Sequence, residues 1–165
     1  MKHILSVLVE NKAGVLSRVS GLFSRRGFNI DSLAVGETED KSISRMTIVV
    51  EGNEYTVEQV EKQLNKLIDG LKVKALDRDE TPRRELVLVK VLAGAAQRSE
   101  VIDIARVLGA KIVDISSTTL TVEHTDRPER VKLLIDMLTP YNIKEVARTG
   151  QVALEKGSGT IGYKG

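Results

Sequence analysis

The chain repeats itself. Sliding the sequence by 82 positions, the distance from Gly27 to Gly109, lays the apolar pattern of one half on the other. Val87, Val89 and Val91 then fall on Leu5, Val7 and Val9, Val101 on Val19, Ile104 on Leu22 and Ile112 on Ile30. Each half must therefore be a unit that one pattern can build twice. In the first half Leu5, Val7 and Val9 alternate as a half-buried strand does. Val15, Val19, Leu22 and Phe23 follow at i, i+4, i+7 and i+8, one helical stripe, and Gly27 stands where a helix ends in a left-handed residue. A strand Ile30–Val35, a polar hairpin loop over 36–41 and a β-branched strand Ile43–Val50 come next. The stripe Val57, Val60, Leu64, Leu67 and Ile68 makes a second helix, ended by Gly70, and Leu71–Leu76 a fourth strand.

The second half offers strands over 111–116 and 118–124. A helix follows, opened by Thr125 or Asp126, with Pro128 in its first turn and the stripe Val131, Leu134, Ile135 and Leu138. A long final strand covers 144–154. Between the halves the charged, Pro-containing run from Asp77 to Arg83 reads as a linker. The fold class is α+β: two tandem ferredoxin-like βαββαβ domains over 1–76 and 85–155, a linker over 77–84 and a flexible Gly-rich tail over 156–165. Two helices cover one sheet face per domain. Residues such as Ile43, or Met46, Ile48 and Val50, are expected on the open face, packed against the other half or another subunit.

Function classes fall away quickly. There is no Cys, which excludes disulfides and thiolate chemistry. No apolar run approaches the ~18 residues of a membrane span, the N-terminus does not read as a signal peptide, and a cytoplasmic location is expected. Net charge is only +2, with the signs interleaved and aromatics scarce, so no nucleic-acid footprint exists. His3 and His124 lie at predicted strand ends and read as surface residues. Glu37, Glu39 and Asp40 read as a solvated turn rather than a cation site. Ser17, Ser20 and Ser24 have no His–carboxylate pair to activate them. No catalytic site and no cofactor or metal site is expected on this chain.

What remains is Glu10-Asn11-Lys12-Ala13-Gly14-Val15-Leu16, a turn that leaves a strand and opens a helix. The first turn of a helix carries orphan N–H donors and partial positive charge, so a carboxylate can dock there. The repeat supplies a control. The shift places Ala93, Ala96 and Lys111 where Asn11, Gly14 and Asn29 stand, so the second half keeps the scaffold without the polar residues. One sensing and one non-sensing domain are expected.

The βαββαβ half opening on these residues resembles an ACT domain, an amino-acid-sensing module. Ser6-Val7-Leu8-Val9-Glu10-Asn11, the run from Leu22 to Ile30, Ser44-Arg45-Met46-Thr47, Lys62-Gln63-Leu64-Asn65-Lys66-Leu67, the run from Glu85 to Val91 and Glu145-Val146-Ala147-Arg148-Thr149-Gly150 resemble the regulatory small subunits of acetolactate synthase. The resemblance runs the length of the chain and is weakest over 93–123. It implies partnership with a catalytic subunit that condenses two pyruvates to 2-acetolactate and CO2, using thiamine diphosphate, magnesium and FAD on that subunit. It implies activation of that subunit, feedback inhibition by valine or another branched-chain amino acid, and a homodimer with ACT domains side by side and effectors between them. Another ACT-type sensor, serving a different metabolic enzyme, is the alternative. On this reading the backbone N–H groups at Ala13, Gly14 and Val15, with the Asn11 side chain, hold the effector carboxylate. Carbonyl groups of Asn29 and Ile30 of the partner subunit meet its ammonium, and Val15, Leu16, Ile30 and Leu33 line its side chain.

Overall fold

The computed structural model describes residues 1–67 and 72–162. They form two compact units, Met1–Pro82 with Gln151–Gly165, and Arg83–Gly150. The first holds β1 (Lys2–Glu10), α1 (Val15–Arg26), β2 (Asn29–Glu37), β3 (Ile43–Glu51), α2 (Glu54–Leu67) and β4 (Lys72–Leu76). The strands pair antiparallel in the order β2-β3-β1-β4, the ferredoxin-like arrangement. The expected stripe residue Ile68, the helix stop at Gly70 and the strand start at Leu71 lie outside the described residues.

Register decides which residues enter the core. Directly opposite residues of an antiparallel pair share a face, and Leu5 opposes Ile48 while Val7 opposes Met46. Met46, Ile48 and Val50 therefore join Leu5, Val7 and Val9 beneath the stripes of α1 and α2, so of the two alternatives for the open face it is Ile43 that faces outward. The other face carries Ile4, Val49 and Leu76, clustered and buried, together with Ile43. There Arg45 donates a hydrogen bond to the hydroxyl of the fully buried Ser6.

α1 ends as its glycine requires. Gly27 sits at φ 68° and donates to Ser24 O at 3.3 Å, while Phe28 N–H reaches back to Phe23 O at 3.1 Å. The open space around an added Cβ means that Gly27→Ala meets no clash. The left-handed backbone alone should cost ~1–2 kcal/mol, seen as a lower denaturation midpoint with an unchanged slope. Gly109 repeats the cap at φ 79°, so the repeat extends to backbone geometry.

The second unit holds β5 (Arg83–Leu92), α3 (Arg98–Leu108), β6 (Lys111–Ile115), β7 (Thr119–Asp126), α4 (Pro128–Leu138) and β8 (Ile143–Arg148), paired in the order β6-β7-β5-β8. α4 is preceded by Arg127 in extended conformation, because the ring of Pro128 disfavours helix at the residue before it. β7 runs past His124 to Asp126. His124 opposes Val87 on the core face and is only 4% exposed, contrary to the surface reading, with Nε2 3.1 Å from Asp126 Oδ2 but not aligned as a hydrogen bond.

Burial raises the Asp126 pKa, but the Arg127 N–H, Arg130 and His124 outweigh it and hold the carboxyl below its ordinary 3.8. A depressed carboxyl stabilises the fold above its unfolded value, and that contribution is lost as pH falls through the folded value. Asp126→Asn should therefore lower stability at neutral pH. The gap to the wild type should close below about pH 3.8, and acid titration of the denaturation midpoint checks it.

The expected strand over 144–154 is broken in two: β8 ends at Arg148, and a two-residue strand, β9 (Val152–Ala153), follows. Gly150 turns the chain at φ 81°, and Gln151 onward belongs to the first unit, where Ala153 packs with Ile4, Val49 and Leu76. The second unit thus closes at residue 150, five short of the expected boundary. Residues 156–162 form no helix or strand.

Candidate functional site

The turn between β1 and α1 is held from its flank. Pairing of β1 with β3 sets Glu10 opposite Ile43, which brings the hairpin loop before β3 beside Asn11. Asn11 N–H donates to Ser42 O at 2.7 Å. Its side-chain Nδ2 donates to Lys41 O at 3.0 Å and Glu37 Oε1 at 3.2 Å. These two acceptors fix the amide orientation. Both amide hydrogens are then spent, and Oδ1 meets no donor among the described residues. Asn11 thus presents an acceptor, Oδ1, at the helix mouth.

The hairpin loop is itself stiff. Asp40 Oδ1 accepts from Ser42 N–H at 2.9 Å and from Ser42 Oγ at 2.6 Å, and these bonds hold the Asp40 carboxyl below its usual range. Among the described residues no cluster of three or more carboxylates or histidines is placed to hold a metal ion.

The helix mouth is open. Gly14 precedes α1 at φ 89°, no side chain caps the helix and its first turn carries no acid. Val15 N–H makes a long bond of 3.4 Å to Lys12 O, while the N–H groups of Ala13, Gly14 and Leu16 meet no acceptor among the described residues. Val15 is buried as an anchor of α1, and Leu16 is 47% exposed beside the mouth.

Asn11, Ala13, Gly14, Val15 and Leu16 therefore come together in one chain. Asn29 and Ile30 do not join them. They begin β2 opposite Glu51 and Val50, whereas Glu37, the strand's other end, lies beside Asn11. Eight residues at ~3.3 Å each separate the two ends by ~26 Å. Leu33 sits midway, partly buried against the core. β2 is an edge strand, so one row of its backbone groups is unpaired within the sheet. Glu37 and Lys41, the partners of Asn11, were not legible as such. No sequence spacing links positions 11, 37 and 41, and only the β1–β3 register does.

The second unit shows what the scaffold alone needs. Ala93 N–H donates to Thr118 O at 2.8 Å, as Asn11 N–H does to Ser42 O. The side-chain latch is different. The Arg98 guanidinium donates to the carbonyls of Ala93 and Ser116, and the residue before α3, Gln97, is right-handed. The fold thus tolerates an alanine in place of Asn11 and no left-handed glycine at the helix start.

Comparison with known proteins fits this geometry. Residues 5–72 match the family described as AHAS small subunit-like ACT domain, and residues 84–157 the family described as small subunit of acetolactate synthase. The acetolactate synthase small subunit of Mycolicibacterium smegmatis is 51% identical over 160 residues, covering 97% of this chain and 94% of that protein. That of Mycobacterium leprae is 49% identical over 160 residues, covering 97% and 95%. The crystal structure of the acetolactate synthase small subunit from Thermotoga maritima superposes with a TM-score of 0.88 at 38% identity, covering 96% of this chain and 99% of that one. The fold is that of an ACT-type regulatory module. The chain belongs to the acetolactate synthase small-subunit family.

Proposed function

We propose that the chain raises the activity of a thiamine-diphosphate-dependent acetolactate synthase catalytic subunit and makes it answer to valine or another branched-chain amino acid. The observation that carries this reading is the uncapped, left-handed entry to α1 at Gly14 beside the Oδ1 of Asn11. The effector carboxylate docks on the N–H groups of Ala13 and Gly14, with that of Val15 alongside, where the helix dipole favours an anion. Asn11 Oδ1 and the Glu37 carboxylate accept from the ammonium. Leu16 and Val15 meet the aliphatic side chain.

A second copy completes the pocket. If two β2 edges pair antiparallel about Leu33, residue numbers across the pair sum to 66, and the partner's Asn29 lies opposite Glu37. That pairing removes the ~26 Å separation found within one chain and places the carbonyls of the partner's Asn29 and the partner's Ile30 beside the ammonium. An effector bound across such an interface biases one arrangement of the dimer, and a coupling of ~1–3 kcal/mol is enough for regulation.

Two measurements test the reading. The chain is added to an acetolactate synthase catalytic subunit and product formation is followed with and without valine; neither activation nor inhibition overturns it. Asn11→Ala should weaken valine binding in calorimetry about tenfold, through loss of one hydrogen bond to a charged group worth ~1.5 kcal/mol. Its melting temperature should stay near the wild-type value, since Ala93 fills the matching place in the second unit.

A further inference from the structure

We infer that the outer edge of β6 is a contact surface for a second copy of this chain, whose own β6 pairs with it antiparallel about a two-fold axis. β6 lies within the second unit, and the inference is independent of the effector reading. Standing first in the order β6-β7-β5-β8, β6 keeps one row of backbone N–H and C=O groups unpaired within its sheet. Edges of that kind are normally shielded by charge. β6 offers instead Val113, 48% exposed, and Ile115, 60% exposed. The first unit differs at the matching places. Shifted by 82, Val113 falls on Asp31, which pairs with Lys2 at 3.0 Å, and Ile115 falls on Leu33, which is partly buried against the core.

An irregularity in the ladder decides how two copies can meet. Lys111 stands opposite Glu123, Ile112 opposite Val122, Asp114 opposite Thr121 and Ile115 opposite Leu120, with Val113 the extra residue between. Val122 and Leu120 are fully buried, so Ile112 and Ile115 share the core face. Lys111 and Asp114 share the other face with Glu123 and Thr121. In a regular strand residues three apart point to opposite faces. The bulge brings these two to the same one and sets Ile112 and Val113 together against Val122.

The strand is thereby complementary to itself. In the antiparallel register where residue numbers across the pair sum to 225, Lys111 faces the partner's Asp114, Ile112 the partner's Val113 and Ala110 the partner's Ile115. Every opposed pair then agrees in face and in character, and two-fold symmetry makes each contact twice. A slip of one residue sets Lys111 against the partner's Val113, or Ile112 against the partner's Asp114, charged against apolar. Lys111 and Asp114 have no ion pair among the described residues, so each is available to the other copy. Opposite charges directly across a strand pair stabilise it, and like charges destabilise it.

The chain contains no cysteine, so two single-cysteine variants of the full chain read the register. Lys111→Cys and Asp114→Cys are prepared separately, refolded together and oxidised. Opposed Cα atoms lie ~5 Å apart, within disulfide reach, whereas like positions, three residues out of register, lie ~10 Å apart. The mixture should give at least about tenfold more disulfide-linked dimer than either variant alone. The mixed dimer also keeps one intact pair of Lys111 with the partner's Asp114. Amide exchange over residues 111–115 gives a second reading, and it decides alone should either cysteine variant fail to fold. Asp114→Lys sets like charges opposite each other and should speed exchange about tenfold, while Asp114→Glu should stay within about twofold of wild type. Equal cross-linking in the mixture and the single variants, or none in any, overturns the pairing, as does exchange unmoved by Asp114→Lys. Protection of β6 that arises only when the catalytic subunit is added assigns the edge to that partner and overturns it equally.

Discussion

Gly14→Asp should abolish tight valine binding and leave the protein folded. The substituted position lies at the mouth of α1, at φ 89°, with open space where a Cβ would stand. An aspartate tolerates this left-handed conformation better than most residues, at a cost of ~1 kcal/mol. Its carboxylate is also a favoured helix cap and is attracted by the helix dipole, which offsets much of that cost. The same attraction ruins the site, because the new carboxylate takes the N–H groups that an effector needs. Two carboxylates about 4 Å apart repel by ~4 kcal/mol at an effective dielectric of 20. The mouth is solvent-facing, so about half of that, ~2 kcal/mol or a ~30-fold loss of affinity, is the expected minimum. Calorimetry reads the affinity, and circular dichroism the fold. Undiminished valine binding would remove the effector from this helix mouth. Gly14→Ala separates the terms, since it meets the backbone cost without the charge and should weaken binding far less.

Phe23→Ala should have the largest effect on stability. Phe23 is 1% exposed and lies on the buried stripe of α1, packed with Leu5, Val7 and Leu64 in one cluster. Its ring meets that of Phe28 edge-on at 6.0 Å, just past the Gly27 cap. Truncating a buried phenylalanine costs ~3–5 kcal/mol through lost transfer energy and the cavity left behind. Domains of this size are stable by only ~5–15 kcal/mol, so this one change removes a large share of the stability of the first unit. Chemical denaturation checks this. A loss below about 1 kcal/mol would mean that α1 does not pack as described. Phe28→Leu, at the half-buried edge, should cost less than about 1.5 kcal/mol.

The elements were legible because their signals are local. The alternation of Leu5, Val7 and Val9, the stripe of α1 and the glycines at 27 and 109 each act over a few residues, and the structure places them as the pattern implies. The repeat gave the same answer twice, which is why both sheets could be anticipated. The choice between Ile43 and the set Met46, Ile48 and Val50 for the open face stayed undecided in the sequence for a physical reason. A strand buried on both faces, with Val49 on one side and Ile48 on the other, shows no period-two contrast, so its register cannot be read from hydrophobicity. His124 was misplaced because the strand's last residues are polar, although one of them turns inward beside Asp126.

The candidate site divides along the same line. The sequence by itself determined a strand–turn–helix entry with a glycine at its mouth, present in one half and absent from the other. That is a matter of residue types in one short segment. Only the tertiary structure decided what Asn11 does, because its amide is held by Glu37 and Lys41 across a β1–β3 pairing of distant residues. Tertiary structure also moved residues 151–155 into the first unit, where Ala153 completes an apolar cluster with Ile4, Val49 and Leu76. Hydrogen bonds and burial between residues 26 to 119 apart in the chain leave no periodic trace in the sequence, and they set both the chemistry of the helix mouth and the path of the returning chain.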